Sequence, residues 1–165
     1  MRILGIDPGT VKLGYGAVDE ADDSAVLVEY GVLRGRSGDE IEKRLATLYG
    51  KLCEVIARLK PDEVAVEEPF ISENVRAALS IGRAQAIAIL AAAQAGVPVK
   101  RYTPTQVKQR VSSYGGSSKE QVQEVVRLRL ELDEVPQPDD AADALAIALC
   151  HMQERQLSRL MEASQ

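Results

Sequence analysis

The chain has 165 residues, enough for one domain of ordinary size with its own core. Hydrophobic residues make up 45% and charged residues 27%, which excludes a disordered or fibrous chain, and aromatics at only 4% require a core of Ala, Val, Leu and Ile. The net charge of −5 speaks against a uniformly basic nucleic-acid-coating surface; no apolar run reads as a membrane span, Met1-Arg2 leads into a strand without a leader pattern, and the expected location is cytoplasmic.

Residues 3–6 form an apolar run that predicts a strand, with Asp7 at its end and Pro8-Gly9 supplying turn chemistry. A carboxylate held at a strand end suits metal ligation, and it suits simple turn capping as well. Residues 12–18 and 25–33 predict two more strands on short connections, hence an antiparallel meander. In residues 39–59, Ile41, Leu45, Leu48, Leu52, Val55, Ile56 and Leu59 recur at helical spacing. Asp39 and Glu42 form a capping-box pattern at its start, and Pro61 follows its end.

Residues 62–67 predict a short strand running into Glu67-Glu68. Alternation lets only one of that pair address a given site if the strand continues through both. Residues 72–95 predict a long alanine-dominated helix able to approach its neighbours closely on more than one side. Its Arg76, Ser80 and Arg83 form one stripe, suited to solvent or to contact with a phosphate or partner subunit. Residues 97–102 predict a fifth strand, 104–111 a short helix capped by Thr103, 112–118 a Gly/Ser loop, and 118–132 an amphipathic helix. A last helix spans about 140–154. The expected organisation is a single α/β domain over 1–155 with a polar tail over 156–165. Cys53 and Cys150 lack metal spacing and read as small buried apolar residues.

Chemistry concentrates in two places. Asp139, Asp140 and Asp143 open an otherwise apolar helix, where acids also serve as ordinary caps and dipole partners. Between Lys100 and Lys119 lie Lys100, Arg101, Lys108, Arg110 and Lys119 with no acid among them, a local basic footprint on an acidic chain. Acids at two strand ends and one helix start meet at the edge of an α/β sheet. Together they would repel one another unless divalent cations such as Mg²⁺ intervened, and paired ions of that kind hydrolyse phosphodiesters. The combination points to a metal-dependent nuclease. His151, the only histidine, lies eight residues after Asp143 on the same helix face and reads as structural or as reaching the edge of the metal site.

Five segments in order, 4–10 (Leu-Gly-Ile-Asp-Pro-Gly-Thr), 66–70 (Val-Glu-Glu-Pro-Phe), 104–109, 117–123 and 140–148 (Asp-Ala-Ala-Asp-Ala-Leu-Ala-Ile-Ala), make the chain resemble the RuvC family of bacterial Holliday junction resolvases. The resemblance runs from residue 2 to about 151. It implies an RNase H-like fold with a five-stranded mixed sheet and helices on both faces. It implies Asp7, Glu67, Asp140 and Asp143 as metal-binding catalytic acids, selecting Glu67 over Glu68 and Asp140 over Asp139. Lys119 and Lys108 match lysines beside the scissile phosphate, and Phe70 matches an aromatic that engages an unpaired base; Arg76, Arg83 and Arg110 are added as expected DNA contacts. Two Mg²⁺ ions per site, with Mn²⁺ substituting, a homodimer on four-way junction DNA, and the RuvA and RuvB branch-migration proteins complete what the resemblance implies. Actin-like kinases share the opening Gly-Ile-Asp turn, but that architecture needs two lobes and more than twice this length.

Overall fold

Alternation along the first strand, β1 (Arg2–Asp7), divides its side chains between two separate cores. Leu4 and Ile6 enter one, while Ile3 enters the other together with the face that carries Gly5 and Asp7. The computed structural model describes residues 1–22, 24–68 and 75–164. In it β1 is the centre of a five-stranded sheet. β2 (Lys12–Ala21) and β3 (Ser24–Arg34) continue from β1 as the expected antiparallel meander. β4 (Glu63–Glu67) lies parallel to β1 on its other side, and β5 (Val99–Tyr102) lies parallel to β4, giving the order β3-β2-β1-β4-β5.

Helices cover both faces. α1 (Ile41–Leu59) and α2 (Val75–Gln94) close the core formed with Leu4, Ile6, Leu13, Val64 and Val66. On the opposite face α3 (Pro104–Ser112), α4 (Lys119–Arg129) and α5 (Asp139–Ala163) enclose Ile3, Val18, Ala65 and Tyr102. Apart from Asp143, α5 is buried around its whole circumference from Ala141 to Met152 because it is covered by the sheet on one side and by α3 and α4 on the other.

The contact that fixes α5 is made over glycines. Gly5 and Gly16 stand opposite each other in the β1–β2 ladder, and Gly14 stands opposite Asp7. A methyl group at Gly5 would lie 2.0 Å from the Ala144 carbonyl oxygen, one at Gly14 would lie 2.0 Å from that of Asp140, and one at Gly16 would strike Leu145. The helix backbone therefore rests on the strands with no side chain between them. Asp140, Ala144 and Ala148, at four-residue steps, form the contacting row.

Three expectations need correction. Asp39 and Glu42 form no capping box: α1 starts after Glu40, which makes no side-chain capping bond. Capping boxes form instead at α3, where the expected cap Thr103 pairs with Gln106, and at α4, through Ser118 and Gln121. The last helix does not fray after residue 156 but runs to Ala163, because Arg155 pairs with Glu63 of β4 and Arg159 with Glu20 of β2. Finally, α2 is long and apolar enough to cross a membrane by length and composition, with a mean hydropathy of 1.3 over its window, since alanine raises hydropathy without bulk. It packs against α1 and the sheet through Ala84, Ala88, Ala91 and Ala92.

Gly5→Ala should lower unfolding stability by at least about 1–3 kcal/mol, since a methyl group must displace backbone rather than a flexible side chain. Urea unfolding followed by circular dichroism measures this; an unchanged midpoint would contradict the glycine contact.

Candidate active site

Strand pairing decides which acids can meet. β1 and β4 run parallel in register, Ile6 beside Val66, so Asp7 and Glu67 leave adjacent strands at the same end and on the same face. Glu68 follows beyond the strand, where its N–H donates to the Tyr102 carbonyl at 2.7 Å and its carboxylate pairs with Arg101 at 3.5 Å. Gln85 of α2 donates Nε2 to the Glu67 carbonyl at 3.1 Å, and Thr10 bonds Ser80 at 3.0 Å, so α2 braces both strand ends.

The third and fourth acids come from α5. Asp140 has its backbone directly over Gly14, the residue opposite Asp7. Asp143 is one turn on. Neither caps the helix by its side chain: the cap position is Pro138, which makes no side-chain bond, and the amides of Ala141 and Ala142 turn back to its carbonyl. The carboxylates at this helix start sit in the favourable field of the helix dipole.

The electrostatics show how closely the acids are drawn together. Burial first, then the charges of Glu67, Asp143 and Asp140, push the Asp7 carboxyl up to about 8, against a partial offset from Lys119. Burial and then Asp143 push Glu67 up to about 7, offset by Lys119 and Lys108. Asp143 is also raised, chiefly by burial, although its bond to Lys119 opposes the shift. Lys119 Nζ lies 2.7 Å from Asp143 and 3.6 Å from Asp139. Burial alone would lower Lys119, but the bond to Asp143 and the charges of Asp143, Asp139 and Asp7 raise it.

A cleft of about 230 Å³ opens beside these groups, with Glu67, Lys108, Lys119 and Asp143 as its polar lining and Val107, Val122 and Ile147 as its apolar wall. Among the described residues no three acidic, His or Cys side chains already stand as a closed cation cage. The donor chemistry nevertheless fits divalent cations: the neighbouring carboxylates raise the proton affinity of Asp7 and Glu67, and the ammonium bonded to Asp143 belongs to a half-exposed lysine.

The expected DNA contacts separate into groups. Lys108 and Lys119 line the cleft. Arg76 and Arg83 are exposed on α2. Arg110 is not brought into the cleft; it bonds Glu154 of α5 at 2.6 Å. Phe70 lies outside the described residues. His151 does not reach the acids. It is buried toward the other end of β4, bonded to Glu63 there and to the Tyr102 hydroxyl at 2.6 Å. A residue missed in the sequence is Gln123, buried against Asp143. Its signal was its spacing, four residues after Lys119 on one helical face.

A model of the family described as "Crossover junction endodeoxyribonuclease RuvC" matches residues 3–151. A relative of that name from Dehalococcoides mccartyi is 52% identical, covering 98% of this chain and 96% of its own length. Another, from Chloroflexus aggregans, is 54% identical with 92% of each covered. Among solved structures, T. thermophilus RuvC in complex with Holliday junction substrate superposes with a TM-score of 0.89 at 38% identity, covering 96% of each chain. The yeast mitochondrial Holliday junction resolvase Ydc2 shares the fold, with a TM-score of 0.67 at 16% identity.

The raised carboxyls set the pH dependence of the metal-free protein. A folded-state acid with a raised pKa binds protons that the unfolded chain releases, so stability is fullest below the unfolded pKa of about 4. It should fall as pH rises and level off above about 8, where Asp7 has ionised. Thermal midpoints in chelator should therefore be lower at pH 8.5 than at pH 5.5, and Asp7→Asn should narrow that gap; a gap of equal size in Asp7→Asn would contradict the origin assigned to it.

Proposed function

The chain belongs to the RuvC family of crossover junction endodeoxyribonucleases, and from that premise we propose that it resolves four-way DNA junctions by paired, symmetric nicks that leave 5′-phosphate and 3′-hydroxyl ends. The observation that carries the reading is the convergence of Asp7, Glu67, Asp140 and Asp143 beside a cleft lined by Lys108 and Lys119. Asp7, Glu67, Asp140 and Asp143 would hold divalent cations, two Mg²⁺ per site with Mn²⁺ as a substitute. When bound, such ions supply an activated water and charge neutralisation at the phosphodiester.

The chain's own residues do the remainder. The strand ends hold Asp7 and Glu67 rigidly, and Gln85 fixes the backbone at Glu67. Lys119, now on Asp143, is positioned to turn to a non-bridging phosphate oxygen, with Lys108 adding a second positive charge on the same wall. The apolar wall of Val107, Val122 and Ile147 limits water around the reacting phosphate. Arg76 and Arg83 extend the phosphate contacts along α2, and Phe70 engages an unpaired base at the crossover. Arg110, committed to Glu154, contributes to DNA binding only if that pair opens.

Two nicks of like polarity require two sites, so the protein acts as a homodimer. The exposed Val75, Leu79 and Leu90 on the alanine-rich α2 provide an apolar face for a second copy. The nuclease domain comprises residues 1–155, with 156–165 as a polar tail whose first part, to Ala163, continues α5, and the protein works in the cytoplasm beside RuvA and RuvB in recombination and repair.

Asp7→Asn should abolish nicking of a synthetic four-way junction in Mg²⁺ or Mn²⁺ while junction binding in gel shift is retained. Nicking at the wild-type rate would overturn the site assignment; retention of the junction by wild-type protein without nicks in either ion would replace the enzyme with a scaffold.

A further inference from the structure

Gln123 is a buried polar side chain that the mechanism above leaves unused. It is 8% exposed, lying between Val122 and the fully buried Val126 on the face of α4 turned to α5. Its carboxamide faces Asp143 and favours the ionised form of that carboxylate. Yet Nε2 is buried and completes no hydrogen bond among the described residues. An orphaned buried amide is unfavourable, and in a native structure it calls for a reason.

The reason lies one turn away. Lys119 and Gln123 are four residues apart on α4 and face the same carboxylate. As the structure stands, Lys119 occupies Asp143 at 2.7 Å. A phosphate or a cation arriving in the cleft competes for each partner of that bond, since the phosphate attracts the ammonium and the cation attracts the carboxylate. Whichever arrives, Asp143 loses its strongest donor. A buried amide cannot follow the phosphate as the flexible lysine can, and it carries no charge to repel a cation.

We propose that Gln123 is a positioning residue, whose side-chain amide takes over one oxygen of Asp143 when Lys119 is drawn to the substrate, holding the other oxygen toward the cleft. This rests on the reading of Asp143 as a cation ligand. Outer partners that orient a ligating carboxylate change cation affinity or activity by about 10–100-fold when removed.

The test is Gln123→Met, which keeps length and removes the amide, compared with wild type and Asp143→Asn. Three readouts are taken: Mn²⁺ affinity of the junction-free protein by calorimetry, single-turnover junction cleavage in saturating Mn²⁺, and the thermal midpoint in chelator. Gln123→Met should bind Mn²⁺ about tenfold more weakly and cleave about tenfold more slowly. Its junction affinity in chelator should be unchanged, and its thermal midpoint should hold or rise because the orphaned amide is gone. Wild-type Mn²⁺ affinity and cleavage rate in Gln123→Met would overturn the proposal. Should that variant fold poorly, Gln123→Leu is judged by the same criteria; poor folding of both would make Gln123 structural and also overturn it. Asp143→Asn separates the two levels: if it cleaves normally, the reading of the acid site fails, whereas an inactive Asp143→Asn beside a normal Gln123→Met defeats the role of Gln123 alone.

Discussion

Everything in this molecule depends on a helix lying bare against a sheet. The Asp140 and Ala144 carbonyls approach Gly14 and Gly5 so closely that a single methyl group would not fit. That contact determines where the start of α5 sits along β1, and so where Asp140 and Asp143 lie relative to Asp7. It brings acids separated by more than 130 residues in sequence into one electrostatic unit. Interior backbone is stiff and closely packed, so the placement is held without any bond between the acids themselves. The far end of α5 is tied down separately, through His151 and Arg155 to Glu63 and through Arg159 to Glu20.

The same contact creates a cost that defines the chemistry. Crowded, partly buried carboxylates repel, and the metal-free site relieves this by holding protons, with Asp7 raised to about 8 and Glu67 to about 7, and by recruiting Lys119. Protons and an ammonium are both displaceable. A site that binds them under strain is suited to exchange them for a divalent cation and an anionic backbone, and cation binding would release protons. A chain with an overall charge of −5 can therefore act on DNA: its cations need only be local, and Lys108 and Lys119 stand on the wall of the cleft where a phosphate would pass.

The features legible in the sequence are those with a local cause. The one-sided period of α1, the Thr103 cap and the short connections of the meander each follow from neighbouring residues, and each has its counterpart in the fold. Strand alternation allowed only one of Glu67 and Glu68 at the site without saying which, and parallel pairing with β1 turns Glu67 to the side of Asp7. Features with a distant cause were not legible. The end of α5 depends on ion pairs to β2 and β4. Arg110 looks like a free cation until Glu154 is placed beside it. His151 shares a helix face with Asp143, but β4 and β5 decide its partners. Gly14 and Gly16 read simply as strand glycines, because nothing nearby shows that a helix far along the chain will rest on them. Gln123 was passed over for the same reason, since its burial depends on α5 lying against α4.

The most direct measurement is paramagnetic broadening by Mn²⁺ in amide spectra of the uniformly ¹⁵N-labelled protein. The account predicts that substoichiometric Mn²⁺ selectively removes signals around Asp7, Glu67, Asp140 and Asp143, leaving the far end of α5 and the Glu63–His151 region sharp. Broadening centred on that region, or spread over the exposed acids without a focus at Asp7, would contradict the claim that α5 and the two strand ends build a single cation site.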